Sequence, residues 1–131
     1  NMLTVNALTA ADAVIIPMQC EYYALEGLSD LVGTLRKVKA NLNPNIEIEA
    51  LVRTMFDPRS SLTMQVSDEI KSHFGEKVFD TVIPRNVRIA EAPSFGKPVI
   101  LHDPASKGAQ AHFAFAKELL ARQGIPVKAA A

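Results

Sequence analysis

The chain has 131 residues, 48% of them hydrophobic and 21% charged, with 14 basic side chains against 14 acidic ones. These values describe one compact domain with enough apolar residues for a core, and they exclude a disordered chain, a collagen-like fibre and a protein that coats nucleic acid by bulk positive charge. The single cysteine, Cys20, excludes an internal disulfide, and no apolar run reaches the ~20 residues a membrane span needs.

The opening stretch NMLTVNALTAAD has no initiating methionine and reads as internal to a longer chain. Its apolar spacing predicts a short helix ending near Asp12. Residues 13–18, AVIIPM, form a short β-branched run that predicts a strand buried on both faces and ended by Pro17. In residues 23–42, Leu25, Leu28, Leu31, Val32, Leu35 and Val38 recur at intervals of three and four, the spacing of an amphipathic helix. Its cations Arg36, Lys37 and Lys39 suit the negative end of the helix dipole.

Asn43-Pro44-Asn45 breaks the chain, and residues 46–56, IEIEALVRTMF, predict a second strand, alternating at first and then continuously apolar. DPRSS, 57–61, is a turn in which Ser60 or Ser61 caps a helix over 62–74, and Gly75 stops that helix. Residues 77–84 predict a third strand. The next stretch, IPRNVRIAEAPSFGKPV at 83–99, reads as a stiff connector: Pro84, Pro93 and Pro98 fix backbone around Arg85, Arg88 and Lys97. A short apolar piece, 99–101, precedes a final helix over 103–124 with Gly124 beyond its end, so the domain is 1–124 and 125–131 is a tail expected to be disordered.

Helices alternating with strands predict an α/β fold, a partial parallel sheet with flanking helices. In such sheets ligands sit beyond the carboxyl ends of the strands. Three segments fall there: 17–27, 53–61 and 84–94. His73, His102 and His112 are scattered without metal-ligand spacing, so no metal site is expected. The chain has no Gly-x-Ser-x-Gly and no Gly-x-x-x-x-Gly-Lys-Ser/Thr; Gly96-Lys97 runs into Pro98. What remains is cation near strand ends: Arg53, Arg59, Arg85, Arg88, Lys97 and Lys107. Spacing alone leaves two readings open, scattered surface charge or a framed site for phosphate.

The blocks VIIPMQCEYYALEGL, RTMFDPRSSL, VFDTVIPRNVRIAEAPSFGKPV and DPASKGAQAHFAFAKEL resemble, in order and over about residues 1–124, those of ParA/Soj chromosome and plasmid partitioning ATPases. The family's deviant Walker A loop, catalytic aspartate segment and Asp-Cys-Pro-Pro turn have no counterpart in this sequence, so the resemblance is to a carboxy-terminal half. It implies the second half of a P-loop NTPase with a Rossmann-like three-layer fold. It also implies a parent that uses ATP and Mg2+, dimerises on nucleotide, binds DNA without sequence preference and is released when a ParB-type partner stimulates hydrolysis.

Thr54, Met55, Pro84, Arg85 and Asn86 match family positions around the adenine, and Gln19 and Glu21 a segment near the nucleotide and the dimer face. Arg59 and Arg88 match positions used for DNA; Lys97 and Lys107 join them by charge and place. No catalytic residue is expected in this chain, which alone should lack activity and self-associate. The implied setting is the bacterial cytoplasm, at the nucleoid, without membrane contact. Two alternatives stand beside this: half of a MinD-like membrane-positioning ATPase, disfavoured by the cation-poor end LLARQGIPVKAAA, and a non-catalytic α/β interaction module.

Overall fold

A computed structural model describes residues 1–126; most of the expected tail, 127–131, lies outside the described residues. Helix α1, Met2–Ala10, starts on Asn1, whose side chain accepts the Thr4 N–H at 3.0 Å. Its other end is closed from a distance. The amide of Asn43 lies 2.9–3.1 Å from the carbonyl oxygens of Leu8, Thr9 and Ala11, so the Asn-Pro-Asn break also satisfies helix-end acceptors.

Strand β1 (Ala13–Gln19), helix α2 (Ala24–Asn41), strand β2 (Glu47–Phe56), helix α3 (Ser61–Phe74) and strand β3 (Val78–Pro84) follow as expected. The sheet is parallel with order β1-β2-β3. Ser60 is the cap of α3, accepting the Thr63 N–H at 3.3 Å, and Gly75 ends that helix at φ 52°. One face of the sheet carries the larger core: Leu8, Ile16, Leu28, Leu35, Val38 and Leu51, with Val66 and Ile70 of α3. The other carries Ala50, Val52, Phe79 and Ile83. Helix α6, Lys107–Arg122, covers that second face with Ala111, Phe115 and Leu119.

Two expectations for β1 are corrected. The strand runs through Pro17, which pairs with Val52, and it is half covered: Ile16 is buried while Ile15 is 43% exposed. Being at the edge, β1 has room for a proline, and α6 does not reach over its outer face. In β2 the register shifts between its pairs with Val14 and Ile15, leaving Glu49 as an extra residue. The bulge reverses the phase, so that Ile46 and Ile48 face the larger core before it, and Leu51 faces it after.

The chain between β3 and α6 is helical, which corrects the reading of a stiff loop. Helix α4 (Val87–Glu91) runs into a 3-10 turn over Ala92–Phe95, Gly96 turns the chain at φ 63°, and helix α5 is Val99–His102. Each proline punctuates an element: Pro84 closes β3, Pro93 sits in the first turn of the 3-10 segment, and Pro98 precedes α5. Asn86 nucleates α4, accepting from the Arg88 and Ile89 N–H groups at 3.0 and 3.3 Å. The last helix starts at Lys107 rather than at 103, because the Ser106 hydroxyl caps it through the Ala109 N–H at 3.1 Å. No helix among the described residues is long and apolar enough to cross a membrane.

Candidate functional site

Arg53, one of the cations near strand ends, belongs to the core. It is 3% exposed, and its guanidinium donates to Ser67 Oγ at 3.0 Å and to the carbonyls of Phe79 and Asp80 at 2.7 and 3.1 Å. The cause is a register gap. Leu51 pairs with Val78, but Arg53, two residues on, pairs with Val82, four residues on. The carbonyls left over in β3 take the arginine, and the leftover Asp80 and Thr81 N–H groups donate to the Glu118 carboxylate at 2.9 and 2.8 Å. Burial pushes the Glu118 pKa up, but hydrogen bonds from Thr81, from the Asp80 N–H and from Arg122 outweigh it and leave the carboxyl below its usual range. Arg53 meets no carboxylate among the described residues, its Nε is unpartnered, and burial lowers its pKa.

The remaining candidates gather at the carboxyl edge of the sheet. Thr54, Met55, Pro84, Arg85 and Asn86 line one cavity of about 500 Å3, walled by Ile83, Ile89 and Ala90. A volume of this size and an apolar wall with a few polar groups suit a planar heterocycle. Met55 is where β2 leaves the sheet: its φ is 48°, a left-handed backbone in a residue that is not glycine. The reason is a second register shift, since Arg53 pairs with Val82 but Phe56 with Pro84.

A neighbouring cavity of about 370 Å3 shares Met55 and Arg85 with the first and adds Gln19, Glu21, Asp57 and Thr63. All seven residues proposed for nucleotide thus line two adjoining cavities, and all three strand-end segments contribute. Cys20, also on the second wall, is buried; desolvation pushes its thiol pKa up, against a smaller pull from Arg53. A nucleophilic thiol would need the opposite shift.

Arg59 and Arg88 sit on different segments, a turn and a helix. Arg59, in the β2–α3 turn, is 88% exposed and grips Asp57 with two prongs, Nε to Oδ1 at 3.0 Å and Nη2 to Oδ2 at 3.2 Å. That side-chain hydrogen bond, then the Arg59 N–H, holds the Asp57 carboxyl below the usual range, with a smaller pull from Arg85. Arg88, on α4, reaches Glu91 at 2.5 Å and Asp103 at 3.3 Å. Glu91 is held low by the Arg88 hydrogen bond and then by His102, whose Nε2 is 3.0 Å away and whose ring stacks on Phe95 with centroids 4.6 Å apart. Lys97, after Gly96, and Lys107, at the start of α6, are exposed and form no ion pair among the described residues.

A family model described as an AAA domain matches residues 1–48. The sporulation initiation inhibitor protein Soj of Bacillus subtilis is 57% identical over 92% of the chain and 47% of its own length. The chromosome partitioning protein ParA of Caulobacter vibrioides is 55% identical over 94% of the chain and 46% of its own length. The chain belongs to the ParA/Soj family. It spans about half the length of the curated relatives it matches. Among solved structures, cobyrinic acid a,c-diamide synthase from Mycobacterium smegmatis with bound ADP and magnesium superposes with a TM-score of 0.72 at 29% identity, covering 95% of this chain and 44% of that one. The fold class expected from the ParA/Soj resemblance, a P-loop-type α/β sheet with flanking helices, is the one observed.

Several residues of this ParA/Soj edge escaped the sequence reading. Ile83, Ile89, Ala90 and His112 complete the larger cavity. Gly108 lets α4 lie on α6, since a Cβ there would come within 3.0 Å of the Ile89 side chain and Asn86 Oδ1. Asp57, Glu91 and Asp103 hold the arginines, and His102 holds Glu91. Asn-x-x at 86–89 is a helix-start signal, and the positions of α4 follow from it once the segment is read as helix rather than loop.

Proposed function

We propose that this chain supplies the adenine side of an ATP site and the DNA-facing cations of a chromosome- or plasmid-partitioning ATPase, as the carboxy-terminal half of its fold. The observation that carries the reading is the convergence of Thr54, Met55, Pro84, Arg85 and Asn86, from two strand ends, on one apolar-walled cavity of about 500 Å3. The purine fits those walls. Gln19 and Glu21, on the adjoining cavity, face the nucleotide or a second subunit.

The phosphates and Mg2+ have no counterpart in these residues, because the sequence contains no phosphate loop. The chain by itself therefore binds ATP weakly and does not hydrolyse it. In the whole protein a nucleotide-dependent dimer sets Arg59, Arg88, Lys97 and Lys107 of two subunits on one DNA lattice, and a ParB-type partner stimulates hydrolysis and release at the nucleoid. Two arginines per subunit are too few for tight binding, since each phosphate neutralised adds only about −0.9 to the slope of log K against log salt; pairing subunits multiplies the affinity.

The test is a titration of non-specific duplex with the product of the gene that encodes this chain, in ATP and magnesium, at two salt concentrations. Arg59→Ala and Arg88→Ala should each weaken binding about tenfold and flatten the salt slope. Ala90→Phe, which fills the larger cavity, should weaken binding of a fluorescent ATP analogue about as much. Arginine variants that bind duplex like the parent would favour the α/β interaction module. Vesicle pelleting would favour the MinD-like alternative.

A further inference from the structure

We propose that Asp57, Glu91 and Asp103 form an intramolecular latch that occupies the guanidinium groups of Arg59 and Arg88 in the free protein, so that DNA gains these arginines only by displacing carboxylates. The proposal rests on the DNA-facing reading of the two arginines and deepens it by naming what regulates them.

The geometry is that of phosphate recognition turned inward. A carboxylate and a phosphate both accept a guanidinium through two oxygens. Asp57 presents both of its oxygens to Arg59, at 3.0 and 3.2 Å. Glu91 and Asp103 take Arg88 from two sides, at 2.5 and 3.3 Å. In both clusters the carboxylate is the fixed partner. Asp57 Oδ1 also accepts the Arg59 backbone N–H at 3.0 Å. Glu91 is pinned by His102, itself stacked on Phe95. The arginines are the outer partners, each more exposed than the acids it touches.

A guanidinium on a flexible stem, tied to an anchored acid, is able to swing to a phosphate that arrives from solvent. The acid stays behind and repels that same phosphate. Each phosphate contact is therefore weaker than a bare arginine would give, which suits a protein that must let go of DNA. Exposed ion pairs act on the scale of a few-fold in an equilibrium constant, enough to bias such a competition without abolishing it.

Neutralising the latch without changing its shape tests the idea. Asp57→Asn and Glu91→Gln, in the product of the gene that encodes this chain, should each raise affinity for non-specific duplex about fivefold at moderate salt. Glu76→Gln, at the opposite end of β3, should not. The gain from Asp57→Asn should shrink in an Arg59→Ala background, and that from Glu91→Gln in an Arg88→Ala background, to what the loss of the carboxylate's own repulsion of phosphate gives, the signature of direct coupling. If arginine removal weakens binding while the two neutralised acids leave it unchanged, or if the gain persists undiminished without the arginine, the latch is wrong and the DNA-facing reading stands. If removing the arginines changes nothing, both fall together.

Discussion

At the scale of single residues, chemistry and position part company twice. Arg53 looks like a ligand-seeking cation by sequence, yet its guanidinium fills the gap left by a register shift, donating to two β3 carbonyls and lying 5.6 Å from the Phe56 ring centroid. Met55 lies in an apolar strand-end run where extended backbone is expected, yet it holds a left-handed backbone and lines both cavities. A β-branched side chain crowds the backbone most in that region, whereas glycine enters it freely. Met55→Ile should therefore cost about 1–3 kcal/mol in urea unfolding. Met55→Gly should fall within about 1 kcal/mol of the parent, because relief of strain offsets the entropy of the freer unfolded chain. Equal losses for the two variants would mean that packing, and not backbone strain, governs the site.

At the scale of elements, α4 is the piece that ties the cavity to Arg88, and it rests on one close approach. Gly108 is buried, and a Cβ there would meet Ile89 and the Asn86 oxygen that caps α4. Gly108→Ala should destabilise the protein by about 1–3 kcal/mol, as overpacking does, and should weaken nucleotide binding as well, because Asn86 and Ile89 line the cavity. Trimming Ile89 to alanine in the same chain should recover part of the binding loss; a binding loss that ignores Ile89 would place the cause elsewhere. This element was also the least legible part of the sequence. Long periodic stretches such as Leu25–Val38 gave α2 directly, and the short β-branched runs gave the parallel sheet. Residues 87–95 are too short for a helical period to declare itself, and three prolines within residues 84–98 suggest a loop until each is seen to mark an element boundary. The seven cavity residues came from a family resemblance; of the acids that hold the arginines, Asp57 and Glu91 lie two and three residues from their partners, a spacing that pairs charges only once the turn and the helix are known, whereas Asp103 meets Arg88 only through folding.

At the scale of the whole molecule, the sheet has more apolar face than this chain covers. Helix α6 lies over β3 and part of β2, and across that face β1 presents Ala13, Ile15 and Pro17 to solvent. Beside this face lies a cavity of about 770 Å3 lined by Pro17, Tyr22, Tyr23, Leu31 and Leu62, and both tyrosines are exposed. Strand β1 carries no charged side chain, and an uncharged edge strand with an apolar flank is a template for pairing. A sheet of three strands also buries little per residue, so association adds stability that folding alone does not supply. The 131-residue chain in isolation should accordingly self-associate, with a sedimentation coefficient that rises with protein concentration. Ile15→Lys sets a charge on the open face of the edge strand and should shift the distribution toward monomer without loss of helical signal, since the Ile15 side chain is 43% exposed and outside both cores. A parent chain that remains monomeric at its solubility limit would show that the edge of β1 does not act as a template. An Ile15→Lys variant that associates as strongly as the parent would move the contact to another surface, with Leu3, Val87, Phe95, Leu101 and Phe113 among the large apolar side chains in the open.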